Sequence, residues 1–421
     1  MTKYSALSRF VSNNRDTLGA NVVATVTGDY TKTGYYGAFK YHRFINTGNL
    51  VVEQGGLAEI LLVGGGGGPG GSNGQNGMSG GGGGVIYVKK ATLQAGTYTI
   101  TIGAGGAVGG GSASNGGDTT ITYGGNIAIL GDQDDGGWWR MRARGGGGGA
   151  GPHGGLPANS SWGGSGGGIS NQSATYYSGM NAFQYPFRPR INDGGTGHAD
   201  GTYNITFPGT QTNYSGLSNT VTATVRFVCS GGTVVSAEMT DPGDGYGSQY
   251  NVIGVGYFGT HPTTALENAS GGSGTNISYL NGYMGGKSGT GDAANNVRAA
   301  GGGALGDRGY PGSSPATDPI QFNMCGFPEF FGGGGRHTST DTANTLRWQT
   351  MRESVVGRGA QGNNIVSGSR YYYGRATSWS YGDDTTNNLT RYTASYGYGG
   401  EAGAYNGGAG YQGICIVRYL A

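Results

Sequence analysis

The chain has 421 residues, 96 of them glycine, roughly three times the usual ~7% share. Charged residues make up only 11%, and 25 Lys+Arg against 23 Asp+Glu leave a formal net charge of +2, which excludes the basic stripe of a nucleic-acid binder and the patch of a membrane-surface protein. The 29 tyrosines and 5 tryptophans give it enough to bury, which excludes wholesale disorder.

At the start, "MTKYSALSRFVSNN" lacks the continuous apolar core of a signal peptide, and no later apolar run reaches the ~20 residues that cross a bilayer; cytosolic synthesis is expected. Leu7, Phe10, Val11 and Leu18 repeat at roughly helical spacing, the only helical pattern found in the sequence. Beyond it the periodicity is two. "YHRFINTGNLVV", "AEILLVGG", "VIYVKKATL" and the closing "GICIVRYL" read as strands. "GTYTITIG" places Tyr98, Ile100 and Ile102 on one face and Thr97, Thr99 and Thr101 on the other.

Between these strands lie runs of glycine: 64–68, 80–84, 145–149, 301–303 and 332–335. Gly/Ser tracts commonly serve as flexible linkers. Linkers join domains, however, and these runs abut strands inside one continuous β pattern. Each glycine fixed in place costs about 0.5–1 kcal/mol relative to alanine, so the runs are expected to be packed. Glycine can form an extended threefold helix, and chains without side chains approach closely enough for interchain hydrogen bonds. The expected fold is all-β, with short strands alternating with polyglycine II-like runs.

Residues 199–256 change style. "SNTVTATVRFVC" alternates, with Val221, Ala223, Val225, Phe227 and Cys229 on one face. "SGG" makes a turn and "TVVSAEM" returns, before a closing turn over Asp241 to Gly247. This reads as an inserted β module and divides the chain into an attachment segment (1–40), a first glycine-rich part (41–198), the module (199–256) and a second glycine-rich part with the closing strand (257–421).

Two stretches carry candidate chemistry. "GDQDDGGWWRMRARG" sets Asp132, Asp134 and Asp135 beside Trp138 and Trp139, the residue types of a glycosidase, although a solvated acidic turn reads more simply. The stretch lacks the loop glycine and terminal glutamate of an EF-hand. "RARGGGGG" is similar to RNA-binding RGG segments but is not repeated. "SRYYYGRATSWSYG" gathers Tyr371, Tyr372, Tyr373, Trp379 and Tyr381 with Arg370 and Arg375. In a strand half would face inward; the exposed half would suit a receptor, since aromatics and arginine dominate binding hot spots and aromatic faces stack on sugars. Trp138 and Trp139 join this candidate receptor-binding set. GxGxxG-like matches in "GAGGAVGGG" are chance in so glycine-rich a chain. His42, His153, His198, His261 and His337 show no metal spacing, and Cys229, Cys325 and Cys415 form no CxxC pair. No metal, cofactor or catalytic residue is expected.

"NTGNLVVEQGGLAEILLVGGGGGPGG", "GGGGGVIYVKKATLQAGTYTITIGAGG" and "GGAGYQGICIVRYL" resemble the start, middle and closing strand of the glycine-rich domains of phage tail fibres and virion surface proteins, over residues 44–125 and 400–421, with Arg418 and Tyr419 in the ending. "TATVRFVCSGGTVVSAEMTDPGDGYG" resembles a short β repeat of marine phage structural proteins that ends in a PGxGY turn. Residues 126–398 separate the two halves. The resemblance implies a virion appendage, on the tail or the capsid, of the tail-fibre or adhesin type. Its glycine-rich part would pack as polyglycine II and its loops would contact a host surface glycan or protein. Residues 1–40, with Phe10 and Val11 buried at the joint, are expected to bind other virion proteins. A decoration protein without receptor role and a surface polysaccharide depolymerase are the alternatives. Whether copies of the chain associate with one another stays open.

Overall fold

The computed structural model describes residues 21–28, 31–70, 78–109, 113–132, 137–149, 183–184, 188–207, 223–241, 262–280, 320–326, 329–335, 396–400 and 409–421. Among these residues, apart from one short helix the regular elements are strands, so the fold is all-β as expected.

Two sheets face each other. The first contains β1 (Val23–Thr27), β4 (Gly48–Gln54), β7 (Gly96–Thr101), β8 (Thr119–Tyr123) and β12 (Arg142–Ala143) in the order β1-β4-β7-β8-β12, with β9 (Asn126–Ile127) paired to β8. The second has the order β11-β10-β6-β5-β21-β3-β2. Its strands are β2 (Thr31–Tyr36), β3 (Phe39–Phe44), β5 (Gly56–Val63), β6 (Val85–Leu93), β10 (Ile129–Asp132), β11 (Gly137–Arg140) and β21 (Ile414–Leu420), and β13 (Phe183–Gln184) pairs with β6. Strand alternation makes the shared core. Leu50, Val52, Tyr98, Ile100 and Ile121 from the first sheet meet Phe44, Ile60, Leu62, Ile86, Val88 and Val417 from the second. Each such side chain, fully buried, contributes roughly 1.5–3 kcal/mol.

The second sheet is also covered on its outer face. The hairpin of β19 (Ile320–Phe322) and β20 (Glu329–Phe331) lays Phe331, with the following Tyr396, over Leu61, Val63, Val85, Ile414 and Ile416. Both faces of β5 and β21 are therefore buried, which explains why "EILLV" and "ICIV" read as unbroken apolar runs rather than as alternation. β21 pairs with β5 on one side and β3 on the other, so the last strand of the chain sits in mid-sheet.

The glycine runs continue from the strand ends as a hydrogen-bonded stack. Along residues 64–70 the N–H groups point to three neighbours in rotation: Gly64, Gly67 and Gly70 donate to Gly84, Gly81 and Met78; Gly65 and Gly68 to Gly117 and Ser114; Gly66 to Tyr411. The carbonyls rotate likewise, Gly65 and Gly68 accepting from Gly146 and Gly149, Gly66 from Gly106, and Gly67 from Gly400. A repeat of three therefore surrounds this segment with backbone on all sides. The runs 64–68, 80–84 and 145–149 are packed elements, not linkers.

The module forms a third unit. β15 (Gly201–Phe207), β16 (Ala223–Ser230) and β17 (Thr233–Asp241) make a three-stranded sheet. The expected "SGG" turn is present, with Ser230 paired to Thr233 and Gly231 and Gly232 at positive φ, the conformation a two-residue hairpin loop demands. Val225, Phe227 and Cys229 are buried on one face as the alternation indicates; Val221 lies outside the described residues. The core of this unit extends past 199–256. It takes in Ile191 from β14 (Arg188–Thr196), Leu266 from α1 (Pro262–Ser270) and Ile277 from β18 (Ser273–Leu280). The helix α1 escaped the sequence reading, which saw helical spacing only at 7–18, a stretch outside the described residues.

Candidate functional site

The stack has two ends. At the near end Gly64 follows the last residue of β5, Gly84 precedes the first of β6, and the two are hydrogen-bonded. At the far end Gly70 bonds to Met78 and Gly109 to Pro69, Gly70 bridges Gly109, and Ala113 donates to Gly149. The residues flanking 71–77 and 110–112 therefore lie together, away from the sandwich. The segments 144–149, 332–335 and 396–400 run toward the same end, since Gly149 meets Gly68 and both Gly335 and Gly400 pair with Gly80. This far end, where several chain connections leave and re-enter, is the candidate functional site.

Side chains close the stack's margin with the same repeat. Gly145 and Gly148 donate to the carboxylate of Asp118 (2.9 Å) and the side-chain carbonyl of Asn115 (2.8 Å). Asp118 also holds Arg142 at 2.7 Å and Arg144 at 3.5 Å. Arg140 forms a fork with Asp241, Nε to Oδ1 at 3.3 Å and Nη2 to Oδ2 at 2.5 Å. The arginines of "WRMRAR" alternate with buried Trp139, Met141 and Ala143, and each meets a carboxylate, so the stretch similar to an RGG segment serves local ion pairs.

At the near end Arg43 pairs with Glu329 at 2.7 Å and lies over the Tyr396 ring at 5.0 Å. This joins β3, the hairpin and the 396–400 segment. Burial outweighs the Arg43 charge and holds the Glu329 carboxyl above its ordinary range. Burial, reinforced by Glu329, pushes the Cys325 thiol up to about 11. All three cysteines are free and buried, and their chemistry is that of small apolar side chains.

The closing "VRYL" is a clamp. Arg418 reaches Glu59 at 2.5 Å and the carbonyls of Asn323 (2.9 Å) and Met324 (3.3 Å), and stacks over Phe39. Tyr419 donates to the Ala24 carbonyl (3.2 Å) and accepts from Nε2 of His42 (2.7 Å), leaving Nδ1 to accept from Thr33 (2.9 Å).

The predicted receptor residues fall differently. Trp139 is 2% exposed and belongs to the sandwich core. That corrects the reading of it as a surface aromatic: its place on β11 turns it inward between Leu130 and Met141. Trp138 pairs through its backbone with Gly131. Tyr371, Tyr372, Tyr373, Trp379 and Tyr381 lie outside the described residues, as do Phe10, Val11, Asp134 and Asp135. Exposed aromatics that the sequence did not single out are Tyr35, 67% exposed, and Tyr36 on edge strand β2, and Tyr123 on β8. Among the described residues no group of His, Cys, Asp or Glu is arranged to hold a metal ion.

A β sandwich continued by a hydrogen-bonded glycine stack defines a glycine-rich structural domain. Residues 46–251, just under half of the chain, match the family model described as a glycine-rich domain, which supports a domain of this kind. The matched range ends before 332–335, 396–400, 410–413 and β21, which complete the stack and the second sheet. No curated protein matches the chain.

Proposed function

We propose that the protein is a non-enzymatic virion structural protein of the tail-fibre or adhesin type, carrying its host-contacting surface at the far end of the glycine stack. One observation supports this most. The residues flanking 71–77 and 110–112 meet at the end farthest from the sandwich, so sequence can vary there without disturbing either core. The stack is of the polyglycine II type: its rotation through three neighbours fits three residues per turn. At ~3.1 Å per residue, the 64–70 segment holds the tip roughly 20 Å from the sandwich. Of residues 1–40, the strands from β1 onward belong to the sandwich sheets, and the stretch before β1 joins the protein to other virion components.

The test uses purified protein and host cells. Saturable binding that blocks phage adsorption is the expected result. Presence on the particle without binding or competition would make it a decoration protein. Release of reducing sugar from host polysaccharide, abolished by Asp134→Asn, would make it a depolymerase.

A further inference from the structure

Two stretches that drew separate readings from the sequence meet in space. Arg140 belongs to the acidic-aromatic stretch of the glycine-rich body, and Asp241 is the last residue of β17 in the module. Their forked contact is inward of the surface, with the Arg140 side chain 15% and the Asp241 side chain 20% exposed. Each end of the fork stands on a rigid element. Trp139 and Met141 anchor Arg140 in the sandwich core, while Met239, two residues before Asp241, is buried in the module core. β17 packs alongside β11 at this junction. A planar guanidinium gripping both oxygens of one carboxylate fixes direction as well as distance.

We infer that the Arg140–Asp241 fork locks the module, residues 188–280, in one orientation on the glycine-rich body, so that module and stack form a single rigid head. The module has its own core but is not a bead on a string.

The lock is tested in the full chain by hydrogen exchange and small-angle scattering of Arg140→Lys, Asp241→Asn and the reversal Arg140→Asp/Asp241→Arg. Lysine keeps the charge and loses the fork. Either single variant is expected to raise exchange in β11 and β17 roughly tenfold, the factor equivalent to about 1.4 kcal/mol. Both should broaden the scattering-derived shape, with the sandwich core still protected and the reversal restoring much of the protection. Unchanged exchange and shape in both single variants would overturn the lock. If a single variant fails to fold, the reversal decides: native-like protection in it supports the fork, and a reversal no better than the singles overturns it.

Discussion

At Gly66 a single methyl group has no room. A Cβ built there would stand 1.8 Å from the Tyr398 carbonyl oxygen, and one at Gly82 would stand 2.0 Å from that of Gly332. The obstacle is backbone on every side, so nothing can rotate away. Gly66→Ala is therefore expected to cost at least about 1–3 kcal/mol, read as a fall in melting temperature. Gly124, at φ +59° in the β8–β9 turn with nothing near its Cβ position, is the control. Asparagine tolerates that conformation, so Gly124→Asn should stay within about 0.5 kcal/mol. Equal melting of the two variants would contradict the packed stack. His42 offers a second residue-scale test. It is 1% exposed, and burial, helped by the Lys40 charge, lowers its pKa from 6.5 to about 4. A group depressed on folding binds more protons unfolded, so its contribution is complete above pH 6.5 and is lost as pH falls toward 4. The full effect is on the order of 3 kcal/mol. Calorimetry from pH 7 to 4 should show a steeper loss of stability in the native protein than in His42→Gln; parallel curves would contradict a neutral buried imidazole.

Elements differ in how far their residues announce them. β7 was legible because one face meets water and the other the core, which writes period two into "TYTIT". β5 and β21 were legible as apolar runs. The glycine runs 64–68, 80–84, 145–149 and 332–335 were legible as packed, because so much glycine beside strands makes no physical sense as coil; 301–303 lies outside the described residues. Their partners were not. Segments 103–109 and 113–117 contain alanine, serine and asparagine at the margin of the stack, where one side is open and a side chain fits, so no unbroken glycine marks them. α1 was hidden because its short buried stripe of Thr263, Leu266 and Ser270 carries only one strongly apolar residue. The ion pairs Arg43–Glu329 and Arg140–Asp241 join residues far apart in sequence; only the alternation of "WRMRAR" hinted at an outward arginine face. The module boundaries follow the same logic. Replacing 188–280 with a Gly-Ser linker removes a whole core and should leave the sandwich melting nearly intact. Replacing only 199–256 strands Ile191, Leu266 and Ile277 without their cover, and that variant should aggregate or bind a hydrophobic dye. The opposite ranking of the two deletions would show that the core was divided wrongly.

At the scale of the whole molecule, the sandwich and the stack are closed by the same last stretch of chain. Tyr411, Gly410 and Gly413 supply bonds inside the stack, and β21 fills the slot between β3 and β5. The body is thus one cooperative object with a near end toward the sandwich and a far end at the stack tip, and the proposed attachment through the stretch before β1 sets which end leads. Deleting residues 2–20 should leave a folded body that no longer incorporates into particles; normal incorporation would refute that attachment. The most direct measurement places the far end on the virion. A short peptide tag inserted between Gly70 and Met78, labelled with gold and imaged on intact particles, should mark the outermost extremity of a tail or surface appendage. Label found at the base of the appendage, or label absent from particles that carry the untagged protein elsewhere, would contradict a host-facing glycine tip.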